Sequence, residues 1–259
     1  GARSRGRRSR RSDLPTRVIL LTHGDREYLR APGAELQTDL GVLTVPEDVE
    51  SGDTLETHLG TEFVARELRG PDLFNHLERT GAPMMPRDIG LVVGHTGAAA
   101  TDRVLDAGTG TGVLSAYLGR LGASVTTYEQ DPEFADVARQ NMRTAGVTEH
   151  VEVRTGDIVD DLAALTAGEP FDLLTLDTED APEIVESAPD LLAYGGFLAV
   201  YSPFVENSRK TVAAAEEAGL SGIETIETIQ REMTFDDRGS RPSTAGVGHT
   251  GYLTFARNS

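Results

Sequence analysis

Residues 104–112, Val-Leu-Asp-Ala-Gly-Thr-Gly-Thr-Gly, run an apolar strand directly into three alternating glycines, Gly108, Gly110 and Gly112. Bare backbone at the end of a strand lets a ligand approach closely, and a helix follows. Three acids recur after later strand-like runs: Glu129, Asp157 and Asp177. A carboxylate placed as Glu129 is can accept both hydroxyls of a ribose, and Asp157 can accept a hydrogen bond from an adenine amino group. Asp157 taken alone reads better as a helix cap, and as a cofactor contact only together with the glycine turn. Asp177 closes the run Leu173–Leu176, at the strand end that faces the ligand crevice of a parallel sheet, which makes it the catalytic candidate. Tyr201 ends the next run beside it. It is either a stacking face for a base or a core tyrosine with a bonded hydroxyl.

The glycine spacing narrows the ligand. A dinucleotide fingerprint would place its third glycine at position 113, which is Val113, whereas here it falls at 112. That spacing is methyltransferase-like. The expected cofactor is S-adenosyl-L-methionine, held by Gly108, Thr109, Gly110, Thr111, Gly112, Val113, Leu114, Glu129, Asp157 and Asp177.

These residues need a sheet to carry them. From Arg103 onward strand and helix signals alternate, with strands expected at Val104–Ala107, Ser124–Tyr128, Val151–Arg154, Leu173–Leu176 and Phe197–Tyr201. Val113, Leu114, Tyr117, Leu118 and Leu121 form a helical face that Gly122 ends. Asp131-Pro132-Glu133 opens the next helix and Gly146 closes it. The last strand-like segments, Ile223–Gln230 and Gly248–Ala256, are separated by a polar stretch, which predicts an antiparallel hairpin at one sheet edge. The fold class is α/β, a Rossmann-type methyltransferase sheet with an antiparallel C-terminal edge hairpin.

Ahead of it, Arg17–Leu21 and Leu40–Val45 are short β-like runs broken by turns. The expected organisation is a disordered basic arm over 1–12, a small β-barrel-like domain over 13–70, a connector with helices over 71–100 (Asp72–Arg79 and Arg87–Val93), and a methyltransferase domain over 101–259. The arm reads as a tail that touches phosphate or as the product of a misplaced start.

Composition bounds the rest. Of 259 residues 38% are hydrophobic, enough for a real core. No apolar run reaches bilayer length and no secretory signal opens the chain, so a cytoplasmic location and no membrane partner are expected. With no cysteine and six scattered histidines, no metal site is expected. The net charge is -18, although residues 1–12 carry six arginines, and Lys210 is the single lysine. Dense carboxylates with arginine replacing lysine resemble adaptation to high salt, the plain alternative being an ordinary acidic protein.

Several segments outside the glycine turn are similar to the archaeal tRNA (adenine-N1)-methyltransferases: Thr38-Asp39-Leu40-Gly41, 58–63 (His-Leu-Gly-Thr-Glu-Phe), Pro86-Arg87-Asp88, Arg241-Pro242 and 248–257. The resemblance covers nearly the whole chain from about residue 14. It implies tRNA as partner, methylation at adenosine 58 and in some members 57, and a homotetramer. The chain departs from the family pattern at Met85, where Tyr or His is usual, and after Asp177, where Asp-Thr-Glu-Asp-Ala-Pro replaces Asp-x-Pro-x-Pro. Alternatives are a noncatalytic tRNA-binding subunit and a methyltransferase for a non-RNA substrate. Arg87, Arg231, Arg238 and Arg241 are the candidate RNA contacts.

Overall fold

The computed structural model describes residues 17–246 and 248–259, so the arm at 1–12 lies outside the described residues. The chain opens with β1 (Ile19–His23), β2 (Arg26–Arg30), β3 (Glu35–Thr38), β4 (Gly41–Thr44), β5 (Thr54–Glu56) and β6 (Glu62–Glu67). Four of these form a sheet ordered β2-β1-β6-β5, and β3–β4 is a separate hairpin. Alternation puts Ile19 and Leu21 of β1 on one face, where they meet Leu36, Leu43, Val45 and Phe63 in a core of their own. Leu20, pointing the other way, joins the core of the larger sheet.

Two helices follow, α1 (Gly70–His76) and α2 (Pro86–Thr96). Both start at proline-assisted first turns. The first begins and ends earlier than the expected 72–79, because Asp72 caps it by accepting from Arg69 N at 2.6 Å and Leu77 leaves helical geometry. Asp72 also accepts two bonds from Arg66 at 2.8 and 3.0 Å, so one carboxylate joins β6 to α1.

The larger unit contains β7 (Arg103–Ala107), α3 (Val113–Leu121), β8 (Ser124–Glu129), α4 (Pro132–Ala145), β9 (Val151–Thr155), α5 (Ile158–Thr166), β10 (Phe171–Leu176), α6 (Ala181–Glu186), α7 (Ala188–Leu191), β11 (Leu192–Ser202), α8 (Val205–Glu217), β12 (Ser221–Glu227), β13 (Met233–Asp236), β14 (Gly239–Pro242) and β15 (Tyr252–Arg257). Its sheet has the order β12-β15-β11-β10-β7-β8-β9. The five strands from β11 to β9 pair in parallel, while β15 runs antiparallel to both β11 and β12. Strand direction along β7 and β10 alternates residues between two cores: Val104 and Leu173 face the layer of α1–α4, Leu105 and Leu174 the layer of α5–α8.

The five expected parallel strands and the antiparallel edge are present. The last strand starts at Tyr252 rather than 248, because residues 248–251 are held in a loop by α2 and β11. The polar stretch before it contains the β13–β14 hairpin, which periodicity did not signal. Among the described residues no helix is long and apolar enough to cross a membrane.

Phe63 is fully buried in the N-terminal core. Phe63→Ala should cost about 3–5 kcal/mol there. Hydrogen exchange then accelerates over β1–β6, while β7, β10 and β11 keep their protection; equal loss in both units would show one cooperative body.

Candidate cofactor and active site

The strand ends of the parallel sheet converge on Gly108. Its N–H and that of Thr109 both donate to Tyr128 O, at 3.0 and 3.2 Å, and Asp177 N donates to Ala107 O at 2.9 Å. Gly108 has φ +88°, and a Cβ there would lie 2.1 Å from Asp177 O. Only glycine lets these backbones close on one another. The turn is braced from the next strand, since Glu129 Oε2 accepts from Gly110 N at 2.8 Å and its Oε1 from Asp131 N at 3.1 Å.

Beneath the turn lies Asp106, a buried carboxylate. Its oxygens accept from Thr127 Oγ1 (2.6 Å), Ser115 Oγ (2.9 Å) and Thr175 Oγ1 (2.5 Å), one hydroxyl each from β8, α3 and β10. Burial raises its pKa and the three hydroxyls oppose that rise. Thr109 joins the same network through Thr127. Sequence reasoning passed over Asp106 as a strand residue. Its one signal was Thr175, a hydroxyl in the apolar run Leu173–Leu176 of β10.

Two recesses meet at Gly108. One is lined by Glu129, Gln130, Asp157, Thr178 and Asp180, among others. The other is lined by residues 108–114 and Asp177, with Ala82, Pro83 and Met84 of the connector forming the opposite wall. All the expected cofactor-binding residues therefore border one cleft. The connector wall carried no sequence signal beyond its prolines. Asp157 caps α5, its Oδ1 accepting from Val159 N at 2.9 Å, and the residue also borders the cleft.

The chemistry of the lining suits S-adenosylmethionine. The carboxylates of Glu129, Asp157, Asp180 and Asp177 border the cleft and, among the described residues, no Lys, Arg or His does. Such a site disfavours a pyrophosphate and favours a cationic molecule with hydroxyl donors. Thr111 Oγ1 is buried beside it with no hydrogen-bond partner among the described residues, a donor waiting for an acceptor. A larger hollow of about 380 Å³ borders β8, β9 and α4 but touches none of these acids. Among the described residues no cluster of His, Cys, Asp and Glu could hold a metal ion.

Asp177 opens onto the cleft and is exposed there, with the packed strand ends and the buried Asp106 behind its carboxyl. Burial, and after it the charge of Asp106, push its carboxyl up to about 7. Tyr201 is half-buried, and its hydroxyl donates to Thr250 O at 2.6 Å. Burial, then Asp177 and Asp88, push that phenol up to about 12. Gly251 lies against its ring, where a Cβ would sit 2.6 Å from Cζ. Thr250 Oγ1 also accepts from Arg87 Nη2 at 3.0 Å, so the loop 248–251 joins α2 to the end of β11. Arg87 is thereby an interior residue, its side chain only 10% exposed. Arg231, Arg238 and Arg241 are exposed on and around the β13–β14 hairpin and do not line the cleft. Met85 is the half-buried residue that precedes α2.

With this geometry in place, the relatives are informative. A family model described as "tRNA methyltransferase complex GCD14 subunit" matches residues 71–240. The tRNA (adenine(57)-N(1)/adenine(58)-N(1))-methyltransferase TrmI of Methanocaldococcus jannaschii is 32% identical over 93% of this chain and 94% of its own length. The tRNA (adenine(58)-N(1))-methyltransferase TrmI of Thermus thermophilus is 28% identical over 80% and 81%. Among solved structures, a SAM-dependent O-methyltransferase of Thermotoga maritima superposes with a TM-score of 0.76 at 26% identity, covering 94% of this chain and 93% of that one. A tRNA (m1A58) methyltransferase TrmI of Aquifex aeolicus has the same fold, with a TM-score of 0.69 at 23% identity over 93% and 96%. The glycine turn, the acids around it and the match across the larger domain agree: the chain belongs to this tRNA methyltransferase family.

Proposed function

We propose that the chain transfers a methyl group from S-adenosylmethionine to N1 of adenosine 58 of tRNA, and to adenosine 57 as well. The observation that carries this reading is Asp177, placed at the carboxyl end of β10 against Gly108 and bordering the acid-lined cleft. S-adenosylmethionine supplies an electrophilic methyl group on a sulfonium. Glu129 takes the ribose hydroxyls with the lone pairs left over from bracing Gly110, and Asp157 takes the adenine amino group with the oxygen that does not cap α5.

The attacking N1 lone pair of neutral adenine is already free, so no residue has to remove a proton first. Asp177 accepts a hydrogen bond from the exocyclic amino group of the target base, which orients N1 and favours the positive charge that develops on the ring. Tyr201 stands beside it with its hydroxyl committed to Thr250, so its ring is a fixed surface for a flipped base. Only the ionised form of Asp177 performs this role.

Three further properties belong to the same reading. The acidic, nearly lysine-free composition supports a cytoplasmic enzyme adapted to high salt, in which RNA binding rests on shape, stacking and placed arginines. The resemblance supports a homotetramer. Exposed Met233 and Phe235 on β13 offer apolar surface that another copy would cover.

Purified protein incubated with S-adenosylmethionine and transcript tRNA, at low and at high salt, should yield 1-methyladenosine at position 58 and, where an adenosine stands there, at 57; methylation only outside these two positions, or none under either condition, refutes the assignment. Asp177→Ala should lower turnover by about a hundredfold or more while leaving cofactor affinity nearly intact. In the wild type, kcat/KM should climb roughly tenfold per pH unit below about 7 and level off above it.

Stability should move the opposite way. Because the folded carboxyl titrates near 7 and an ordinary one near 3.8, the folded state keeps its proton longer, and stability falls as pH rises across that window. Asp177→Asn should therefore be more stable than wild type at pH 8, with the difference vanishing near pH 4. Denaturant melts at both pH values measure this, and a pH-independent difference contradicts the raised pKa.

A further inference from the structure

Asn141 lies in α4, on the far side of the glycine turn from the cleft, and is only 2% exposed. A buried carboxamide must place two donor hydrogens and an acceptor oxygen, and here all its functions are used. Oδ1 accepts from Glu78 N at 3.0 Å, and Nδ2 donates to Glu78 O at 2.8 Å. The side chain thus pairs with one residue's backbone as a neighbouring strand would. Nδ2 also donates to Thr111 O, again at 2.8 Å.

The two partners belong to opposite walls of the cleft. Thr111 sits in the glycine turn, and its own buried hydroxyl has no hydrogen-bond partner among the described residues. Glu78 directly follows Leu77, which caps the end of α1, and starts the segment whose Ala82, Pro83 and Met84 form the facing wall. No regular element holds that segment until α2 starts at Pro86. Met84 is packed into the core, and a single amide group on a third element ties the start of this segment to the glycine turn.

We propose that Asn141 is a positioning residue for the cofactor: by clamping Glu78 and Thr111 it holds the connector against the glycine turn, so that S-adenosylmethionine and the connector stabilise one another. The residue touches neither cofactor nor substrate. Its effect passes through the two backbones it bonds. Binding a ligand between the walls should order residues 78–85, and by reciprocity an ordered connector should tighten the ligand.

The test uses the full chain and S-adenosylhomocysteine, which occupies the site without turnover. In the wild type, hydrogen exchange at residues 78–85 should slow on adding the ligand; an unchanged rate there refutes the proposal before any variant is made. Asn141→Leu keeps the volume and removes all three bonds. Asn141→Asp keeps the acceptor for Glu78 N and loses both donors, and it decides the question if the leucine variant does not fold. Calorimetry should show the dissociation constant rising about tenfold or more, since backbone groups are left unpaired. Ligand-induced protection of 78–85 should disappear, while exchange in β1 stays as in the wild type. A purely structural asparagine would lower only the melting temperature. A folded variant that binds within about twofold of wild type and still protects 78–85 therefore overturns the inference.

Discussion

The site depends on the approach of one backbone to another at Gly108. Three parallel strands end there, and their last peptide groups bond across strands: two N–H groups on Tyr128 O, and Asp177 N on Ala107 O. A side chain at 108 would displace the carbonyl of Asp177 itself. The residue that makes room for the cofactor and the residue proposed to act on the base are therefore parts of one contact. Asp106 braces this contact from below, since its three hydroxyl donors come from three elements, two neighbouring strands and α3. Burying a carboxylate is costly, and full hydrogen bonding is what makes it tolerable.

Charge organises the cleft in the same way. A chain with a net charge of -18 has little long-range attraction for RNA, yet the acids lining the cleft are of use there because a sulfonium nucleoside is a cation with hydroxyl and amino donors. The cofactor and the RNA therefore need different devices. In the proposed reading the first is drawn by local carboxylates, while the second rests on shape and stacking, which salt does not weaken. Arg87 shows how little of the arginine content serves as a free basic surface, because its guanidinium is spent on Thr250 and Gly248 inside the protein.

Legibility from sequence followed the range of the interactions. The glycine turn, the strands at its flanks and the Asp131-Pro132 helix start are local signals, and each was found where the residues placed it. The β12–β15 edge was legible as a pair, but its end was not, because residues 248–251 are held out of the strand by Arg87 and Tyr201, one of them over a hundred and sixty positions away in the chain. Whether Asp157 serves as a cap or as a ligand contact was not resolved by sequence either, since both call for the same residue at the same place; the structure shows the cap. Asn141 lies on a helix whose amphipathic pattern would accept any small residue there. What makes it matter is Glu78, which no periodicity links to it.

The acids at the heart of the molecule also explain why this part of the fold is poised rather than relaxed. Asp88, Asp106 and Asp177 all have pKa values raised by burial, so each would be more comfortable uncharged. Asp106 is compensated by hydroxyls. Asp177 has no comparable donors among the described residues, and Asp106 adds repulsion to its burial. A carboxylate short of partners, beside a cleft, gains most from a ligand that brings a donor. An adenine amino group supplies one, and it supplies more as the ring becomes cationic. In the proposed mechanism, the same deficit that weakens the resting protein is what would make Asp177 bind the developing charge more strongly than the neutral base.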